Sequence, residues 1–544
     1  MSSSAISDDE GELYNGFGSS PISRNQMRTT KRWSFHNNTR PLMDLPVDAN
    51  TGGKPRRLSD ITGEDGVHKT LNPYSEWGGA QLYSTESGRL FHAGKIIIAL
   101  AGLPGRGKTH LSVSLTRYLR WLGVKTHSFH LGDYRRATAE DNNLTHDLFV
   151  PTPSSKQAHA VREKAVNECL NDILNFFKAD KGQVAIYDAV NAIPEFRLEL
   201  HKKFTELNIQ VLFIESLVTD DKIIQKNIEE AARLSPDYTN WDYEKAKKDY
   251  SERINALAPY YQPMGTEESQ LSYIKFVNFG ERIELHNSSY GYLINKVVFY
   301  LMNSRIKSGS VFFARCYKNT MDYASDPPLD AEGIQYAKNL TLTLVEHLKY
   351  CGKDYIGEGS ILRPAELKRE LSVDERQPPT GVDGVDKDSL VIWTSVKKRT
   401  IATTQFFTKR NIKVRHRIQL SQKNPGIVGS MSESEIEEKY PEFYQQYEQD
   451  PYHYRFPRAE SYHDLAIKIE PLILEMERMS GDILIIADET ILQVFYGYLM
   501  SCSCYEIPSL NFKEDEIIEI KFNAYSNSAE RIKIKDFANT LNVK

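Results

Sequence analysis

Residues 96–109 have the sequence IIIALAGLPGRGKT, and this stretch decides the fold of the 544-residue chain. Its last eight residues match the pattern G-x-x-x-x-G-K-[ST], and an apolar, β-branched run directly precedes them. In such a loop the glycines let backbone N–H groups turn toward a phosphate, and the following helix directs its N-terminus at the same anion. The order of strand, loop and helix therefore predicts a nucleoside triphosphate site.

Two side chains at the end of this phosphate loop have separate expected roles. Lys108 is expected to reach the β- and γ-phosphates, and Thr109 is expected to hold Mg²⁺. A chance match without a nucleotide is the alternative. The strand before the loop and the helix after it are the context that the motif requires, and they favour the nucleotide.

Composition and charge exclude several classes of protein. The chain has 40% hydrophobic and 26% charged residues, which is ordinary for a globular protein. Its net charge of −5 argues against nucleic acid as a partner, because nucleic-acid binders usually carry a basic excess. No apolar run approaches the roughly 18 residues of a membrane span, and the N-terminus lacks a signal-peptide layout. The five cysteines are an odd, sparse set without metal-ligand spacing, which fits a reducing cytoplasm. We therefore expect a cytoplasmic protein, and the missing apolar span predicts no membrane partner.

The first part of the chain differs in composition from the rest. Residues 1–88 are rich in Ser, Asn, Asp, Gly and Arg, and their apolar residues follow neither a helical nor a strand period. Such a segment buries too little apolar surface to offset its ordering entropy, so we predict a disordered regulatory tail. Ser34 and Ser59 follow basic residues in the pattern of a basophilic protein kinase site, and both are candidate phosphorylation sites.

Strand-like and helix-like segments alternate over residues 89–305. This alternation predicts an α/β domain with a mostly parallel sheet and with ligands at the carboxyl ends of the strands. After the phosphate loop, the segments are helices over 111–122 and 159–177, and strands over 125–131, 183–188 and 210–215, the last closing the series.

Polar side chains follow these strands. Asp188 ends one of them, where a carboxylate can sit beside Mg²⁺ or accept a proton from an attacking hydroxyl. Capping of the next helix is the alternative role for this residue. Guanidinium groups bind phosphate oxygens in a bidentate manner, although a single arginine is more often solvated. Four arginines are therefore candidate clamps for a second anionic ligand: Arg135, Arg136, Arg162 and Arg253.

A series of motifs resembles one known family. In order they are GLPGRGKTH at 102–110, LTRYL at 115–119, LGDYRR at 131–136, YDA at 187–189, FIES at 213–216, SPDY at 235–238 and YLMN at 300–303. They are similar to the bifunctional 6-phosphofructo-2-kinase/fructose-2,6-bisphosphatase family, and the chain is identified as a fungal-type member. The resemblance implies one half that transfers the γ-phosphate of ATP to the 2-hydroxyl of fructose 6-phosphate. The other half has a histidine-phosphatase fold and removes that phosphate.

The resemblance implies roles for residues of the kinase half, with ATP and Mg²⁺ as cofactors. Lys108 and Asp188 match catalytic positions, and Thr109 and Asp188 match the metal site. Arg135, Arg162 and Arg253 match the sugar-phosphate site. The ATP-binding positions are Gly102, Leu103, Pro104, Gly105, Arg106, Gly107, Lys108, Thr109, His110 and Asn227.

Other positions of the kinase half depart from the family. Losing two charged and two neutral substrate contacts would cost roughly 5–8 kcal/mol of binding free energy if the losses add. Neighbouring Arg197 could replace the guanidinium missing at Phe196. The sequence thus leaves open whether the kinase half is active, weak or directed at a different acceptor. The departures are Val190 for a substrate-binding threonine, Phe196 for an arginine, Ala232 for a lysine that serves both ligands, Leu257 for a substrate tyrosine and Val218 for a cysteine near the site.

Residues 306–544 again alternate strands and helices, which predicts a second α/β domain. The segments KKRT at 397–400 and YRFPRAESY at 454–462 resemble phosphatase segments of the family, so a histidine-phosphatase-like, phosphoglycerate-mutase-like fold is expected. A histidine phosphatase needs Arg-His-Gly-Glu at the end of its first strand, because the imidazole forms a phosphohistidine. This chain has Arg315-Cys316-Tyr317-Lys318 there.

Two further replacements predict that this half is catalytically inactive. Gly429 occupies the position of the acid/base glutamate, and Asp488 occupies that of the second histidine. A carboxylate at the latter position would repel phosphate. Cys316 is disfavoured as a substitute nucleophile, because only Arg315 accompanies it. Arg315 and Arg399 remain and could bind a phosphate without cleaving it, or they could be held by neighbouring carboxylates.

Two functions remain open at this point. One is an ATP-dependent 6-phosphofructo-2-kinase with an inactive phosphatase half that serves as a dimer or regulatory platform. The other is a pseudoenzyme that binds nucleotide or sugar phosphate and regulates a partner. The complete phosphate loop with Asp188 favours the enzyme, and the eroded sugar site favours the pseudoenzyme. The acceptor is expected to be fructose 6-phosphate or a related sugar phosphate, and a homodimer is left open.

Overall fold

The computed structural model describes residues 79–80, 94–138, 146–287, 291–305, 309–317, 323, 326–351, 390–523 and 527–535. Ser34, Ser59 and nearly all of the predicted tail lie outside the described residues.

The first half of the chain is a six-stranded sheet with the order β2-β3-β1-β4-β5-β6. All neighbouring strands are parallel except β5 and β6, which are antiparallel. The central strands are apolar and buried on both faces, as strands of a covered parallel sheet must be. The strands are β1 (Lys95–Ala101), β2 (Thr126–His130), β3 (Val184–Asp188), β4 (Ile209–Leu217), β5 (Tyr273–Val277) and β6 (Arg282–His286).

The prediction that the strand over 210–215 closes the series is wrong. It lies within β4, and β5 and β6 follow it as an antiparallel pair at the edge of the sheet. Both added strands have only five residues, and they are joined by a short hairpin connection. No helix separates these two strands, so the alternation of strands and helices does not predict them.

Seven helices of the described residues accompany this sheet. α1 begins directly after the phosphate loop, where Gly107 has a φ of 77°. The Ser155 side chain caps α3 by accepting from the N–H of Ala158, and the Asp242 side chain caps α6. The helices are α1 (Lys108–Trp121), α2 (Leu131–Thr138), α3 (Lys156–Lys178), α4 (Pro194–Thr205), α5 (Asp221–Leu234), α6 (Tyr243–Leu257) and α7 (Tyr292–Asn303).

The second half has its own six-stranded sheet with the order β12-β11-β7-β10-β8-β9. The strands from β7 to β9 in this order are parallel, and β11 is antiparallel to β7 and β12. The strands are β7 (Val311–Arg315), β8 (Val391–Thr394), β9 (Lys413–His416), β10 (Ile483–Ala487), β11 (Glu516–Phe522) and β12 (Asn527–Lys533). The described helices are α8 (Ala331–Tyr350), α9 (Lys398–Thr403), α10 (Gln405–Thr408), α11 (Glu433–Lys439), α12 (Pro441–Gln449), α13 (Tyr462–Arg478) and α14 (Glu489–Leu499). The prediction of two α/β domains with mostly parallel sheets is confirmed.

The two halves share a continuous buried interface formed by α1 and α7 on one side and α13 and α14 on the other. Arg117 donates to Glu477 Oε1 at 2.8 Å, and the Tyr498 hydroxyl donates to the same oxygen at 2.6 Å. The rings of Tyr118 and Tyr300 stack at 4.6 Å beside this cluster. The helix that carries the phosphate loop is therefore braced against the second half.

Two residues of the predicted tail are buried at this interface. The N–H of Ala80 donates to the carbonyl of Trp121 at 2.8 Å, and the hydroxyl of Tyr452 donates to the carbonyl of Gly79. Ala80 is fully buried, and a Cβ at Gly79 would collide with the Trp121 ring. The prediction of a disordered tail over 1–88 is wrong at these two positions. Gly79 and Ala80 are small enough to fit beside Trp121 and Tyr452, and the composition of the surrounding segment does not indicate this contact.

No helix among the described residues has the length and apolarity needed to cross a bilayer.

Candidate functional site

A cavity of about 330 Å³ lies at the carboxyl ends of β1, β2 and β3. Its wall is formed by the phosphate loop, the ends of β2 and β3, and residues of α3, α5 and α6. Phe522, at the end of β11 in the second half, also lines it. The predicted nucleotide and sugar-phosphate positions thus meet in one space.

The phosphate loop has the backbone geometry that its glycines permit. Gly102, Gly105 and Gly107 have φ values of 132°, 72° and 77°, a region that residues with a side chain rarely adopt. A Cβ at Gly102 would also lie 2.5 Å from the Ser216 carbonyl oxygen. Glycine at this position therefore allows both the turn and the close approach of β4.

Lys108 is held inside the loop that it follows. Its Nζ donates to the Leu103 carbonyl at 2.8 Å, and the residue is only 8% exposed. Burial lowers the pKa of Lys108 to about 8, although the nearby Asp188 carboxylate opposes this effect. A buried ammonium group beside the loop N–H groups is suited to a phosphate, because the anion would offset the cost of burying the charge.

Side chains from three elements fix the loop. Asn227 on α5 donates to the Gly105 carbonyl at 2.9 Å, and the N–H of Gly105 donates to the Tyr250 hydroxyl of α6 at 3.0 Å. The Ser216 hydroxyl at β4 donates to the Arg106 carbonyl at 2.6 Å. His110 lines the cavity one turn into α1. Each predicted ATP-binding position is therefore in or against the loop.

Asp188 lies at the centre of the site and is 8% exposed. Its Oδ2 accepts from the Thr109 hydroxyl at 2.8 Å and lies 2.9 Å from His130 Nδ1. Burial raises the pKa of the carboxyl group, but His130 and Lys108 outweigh burial and hold that pKa below its ordinary value. The alternative role in helix capping is wrong, because α4 begins at Pro194 and Ile193 is its N-cap residue.

Three arginines of the cavity wall converge on one buried carboxylate. Arg253 Nη1 and Arg135 Nη2 lie 2.7 Å and 3.1 Å from Asp237 Oδ2, and Arg136 pairs with the other oxygen. The guanidinium carbons of Arg253 and Arg135 lie 3.7 Å and 4.1 Å from the centroid of the Phe149 ring. Arg136 also pairs with Asp133, and Arg253 Nη2 lies 3.6 Å from Asp249 Oδ2, so the three arginines are balanced by three carboxylates.

The Asp237 cluster does not use every donor of its arginines. Among the described residues, the buried Nε atoms of Arg135 and Arg253 have no hydrogen-bond partner. Desolvation raises the pKa of Asp237, yet the arginines outweigh it and lower that pKa to about 2, so the carboxylate stays charged. Arg162 lies apart from this cluster: its Nε donates to the Val150 carbonyl at 3.2 Å, and its guanidinium lies 5.9 Å from the Phe196 ring.

The corresponding site of the second half is filled by its own side chains. The Cys316 thiol donates to Asp488 Oδ1 at 3.3 Å, and Arg399 Nη2 donates to the same oxygen at 3.0 Å. Burial, followed by the Asp488 charge, raises the pKa of the Cys316 thiol well above its ordinary value. Arg315 Nη1 lies 3.1 Å from Glu489 Oε2. Both surviving arginines are thus held by carboxylates, which was the alternative to phosphate binding.

Comparison with known proteins agrees with this geometry. The family model for 6-phosphofructo-2-kinase matches residues 83–308, and that for the histidine phosphatase superfamily (branch 1) matches residues 384–535. A Saccharomyces cerevisiae protein provisionally named a 6-phosphofructo-2-kinase/fructose-2,6-bisphosphatase is 42% identical over 97% of this chain and 98% of its own. The chain belongs to the 6-phosphofructo-2-kinase/fructose-2,6-bisphosphatase family.

Two further relatives are similar over most of the chain. The fructose-2,6-bisphosphatase of Saccharomyces cerevisiae is 30% identical over 81% of this chain and 88% of its own. The human 6-phosphofructo-2-kinase/fructose-2,6-bisphosphatase 1 is 31% identical over 80% and 84%, respectively. The family resemblance inferred from the sequence is therefore confirmed.

The positions that depart from the family fall into two groups. Val190, Phe196 and Leu257 line the cavity, so the wall is apolar where the family has polar contacts. Ala232 instead packs against Tyr238 and Ala246 in a small core cluster.

The expectation that Arg197 could replace the guanidinium missing at Phe196 is wrong. Arg197 is fully buried and forms a two-bond ion pair with Glu268, with both nitrogen–oxygen distances at 2.7 Å. Its remaining N–H groups donate to the carbonyls of Asn191, Ala192 and Gln262. The Arg197 side chain therefore points into the protein interior and not into the cavity, although Arg197 directly follows Phe196 in the helix.

The sequence did not point to three residues of the cavity wall. His130 could have been noticed, because it ends a strand beside the one that Asp188 ends. Phe149 follows a short segment without a periodic pattern, and Phe522 lies more than 400 residues beyond the phosphate loop. Only the folded arrangement brings these two aromatic rings to the cavity.

Proposed function

We propose that this chain is an ATP-dependent 6-phosphofructo-2-kinase that transfers a phosphoryl group from MgATP to the 2-hydroxyl of fructose 6-phosphate. The observation that carries the proposal is the shared cavity. Lys108, Thr109 and Asp188 line it together with the arginines around Asp237. A nucleotide phosphate and a sugar phosphate would therefore bind in one space that Asp188 also lines.

The residues present fit a nucleotide with Mg²⁺. Thr109 and Asp188 would hold the metal, because both line the cavity and Asp188 Oδ1 accepts no hydrogen bond from the described residues. A bound Mg²⁺ supplies neutralisation of the charge on the phosphate oxygens. Lys108 supplies a second positive charge, which its burial makes more effective toward the phosphates.

The arginine side of the cavity supports a phosphorylated acceptor. Charge-assisted hydrogen bonds to phosphate are stronger than neutral ones, and Arg135 and Arg253 are held in place by Asp237 and Phe149. Asp188 stays ionised at neutral pH because its pKa lies below its ordinary value, so its carboxylate can accept a hydrogen bond from the attacking hydroxyl. These residues orient the acceptor rather than form a covalent bond with it.

We also propose that the second half lacks bisphosphatase activity. Cys316 stands where the family has its nucleophilic histidine, and its buried thiol is kept protonated beside Asp488. Asp488 neutralises Arg399, so the cation that would attract a phosphate is already paired. Gly429 has no side chain with which to protonate a leaving group.

A second function is favoured by the apolar wall. Val190, Phe196 and Leu257 offer no hydrogen bonds to sugar hydroxyls, and lost neutral contacts cost about 1 kcal/mol each. A protein that binds nucleotide and sugar phosphate without efficient transfer, and that regulates a partner, is therefore the alternative.

The test supplies the purified protein with γ-labelled ATP, Mg²⁺ and fructose 6-phosphate. Labelled fructose 2,6-bisphosphate that disappears in Lys108→Met, and persists in the exposed-surface control Lys178→Met, supports the kinase. ATP binding without a labelled sugar product supports the alternative. Separately, unlabelled fructose 2,6-bisphosphate incubated with the protein should persist; its hydrolysis would contradict the proposed loss of phosphatase activity.

Other expectations for the chain stay predictions. They are the division into a tail (1–88), a kinase domain (89–305) and an inactive phosphatase-like domain (306–544), phosphorylation of Ser34 and Ser59 by a basophilic kinase, a cytoplasmic location, and a homodimer.

A further inference from the structure

His130 is joined to the central carboxylate of the cavity. Its Nδ1 lies 2.9 Å from Asp188 Oδ2, the same oxygen that accepts from the Thr109 hydroxyl. His130 and Asp188 are register partners in the neighbouring parallel strands β2 and β3, so the fold itself sets them side by side. Both donors bond Oδ2, and Oδ1 accepts no hydrogen bond from the described residues.

The imidazole ring is fixed at both of its nitrogen atoms. The Ser128 hydroxyl lies 3.2 Å from Nε2, because residues 128 and 130 project from the same face of β2. A carboxylate oxygen can only accept a hydrogen bond, so Nδ1 carries a proton and donates it to Asp188, while Nε2 bonds the Ser128 hydroxyl. The neighbouring charged groups are Asp133 and Arg136 on α2. Ser128 thus sets the orientation of His130, and His130 sets that of Asp188.

We infer that His130 is a positioning residue for phosphoryl transfer: it holds Asp188 Oδ2 so that Oδ1 faces the cavity, ready for Mg²⁺. A carboxylate turns easily about its last side-chain bond, so two donors on one oxygen restrict it where one would not. Residues that hydrogen-bond to a metal-binding side chain typically contribute a factor of about 10–100 to metal affinity or activity. The inference rests on the proposed function, since it assigns a role within the same site.

The test compares two substitutions at one position. His130→Phe keeps a ring but removes the donor, and His130→Asn keeps an N–H group near the place of Nδ1. Mn²⁺, which electron paramagnetic resonance detects, replaces Mg²⁺ in titrations of protein saturated with ADP. His130→Phe should weaken Mn²⁺ binding and lower kcat by about tenfold or more. Mn²⁺ affinity and kcat of His130→Asn should stay within about threefold of the wild-type values. Both values in the exposed-surface control His159→Phe should equal those of the wild type.

Two results would overturn the inference. One is wild-type Mn²⁺ affinity in His130→Phe. The other is an equal loss in both variants together with weaker binding of metal-free ADP, which would mean that the ring supports the loop and not the carboxylate. The metal titration does not depend on the acceptor. If the wild type forms no fructose 2,6-bisphosphate while the ranking of Mn²⁺ affinities holds, the proposed function fails and the role of His130 toward Asp188 stands.

Discussion

Arg117 and Glu477 form a buried ion pair between the two halves of the molecule, with 2.8 Å between Arg117 Nη2 and Glu477 Oε1. Both side chains are 4% exposed. The guanidinium also lies 5.3 Å from the Tyr498 ring, and the Tyr498 hydroxyl donates to Glu477. Burial lowers the pKa of Arg117, but the charge of Glu477 outweighs burial and raises it. The pair therefore stays ionised inside the interface.

Removing one partner of this pair should be costly. Glu477→Gln leaves the Arg117 charge buried without a counterion, which typically costs about 3–5 kcal/mol. The free energy of the first unfolding transition in urea should fall by that amount. As a control, Glu346→Gln breaks the exposed pair between Lys535 and Glu346 and should cost less than about 1 kcal/mol. A Glu477→Gln variant as stable as this control would show that the pair carries no stability.

Arg253 should affect the sugar phosphate and not the nucleotide. Arg253→Met removes a guanidinium that is bonded to Asp237 and stacked on Phe149, while Arg135 and Arg136 still neutralise the carboxylate. A charged hydrogen bond is worth about 1.5–3 kcal/mol, so KM for fructose 6-phosphate should rise roughly 10- to 100-fold.

Steady-state kinetics with each substrate varied in turn check this prediction. KM for ATP should change by less than about threefold in Arg253→Met. Arg233→Met, which removes an exposed arginine stacked on Tyr243, is the matched control and should leave both KM values unchanged. An equal rise of the two KM values would place Arg253 at the nucleotide instead.

His463 should make the folded state sensitive to acid. Burial, and then the charge of His453, lowers the pKa of His463 to about 4. In the unfolded chain the His463 pKa is near 6.5, so protons bind the unfolded state more tightly than the folded state. The stability of the folded state is therefore highest above about pH 6.5, and it falls as the pH decreases toward 4. The loss amounts to about 2 kcal/mol at pH 5.

The measurement is the difference in unfolding free energy between the wild type and His463→Gln at pH 7 and at pH 5. That difference should shrink by about 2 kcal/mol at the lower pH, because the variant lacks the titrating ring. The exposed-surface variant His159→Gln should show no such change. A difference that is constant with pH would mean that His463 has an ordinary pKa.

The cysteines should react with a thiol reagent in two classes. Cys351 is exposed at the end of α8, whereas Cys169, Cys316, Cys502 and Cys504 are buried. A thiol reagent such as Ellman's reagent should therefore modify one thiol of the native protein at once and the others only on unfolding. The fast phase should vanish in Cys351→Ser. A fast phase that vanishes instead in Cys316→Ser would show an activated nucleophile in the second half.

The parts of the fold and site that the sequence predicts are those set by short patterns. The run before Gly102 and the loop to Thr109 place β1 and α1, and Asp188 follows from the end of an apolar strand. The partners of these residues come from distant positions. Asp237 gathers three arginines, yet nothing in its own neighbourhood of the chain says that they will meet.

The two wrong predictions about Arg197 and the tail also arise because contacts with distant residues are not evident from the local sequence. Arg197 and Phe196 are adjacent, but successive helix residues project about 100° apart, so one faces the cavity and the other a buried glutamate. Gly79 and Ala80 resemble the rest of a polar tail in composition. Their burial depends on the shape of the Trp121 ring and on the Tyr452 hydroxyl, which local composition does not encode.

Phe522 gives the second half a part in the chemistry of the first, since it completes the cavity wall from β11. A gene shortened after the kinase segment would encode an enzyme with an open side. Selection on this cavity would preserve the strand that presents Phe522, whatever reaction the second half itself performs. The second half would then be retained in evolution for its shape.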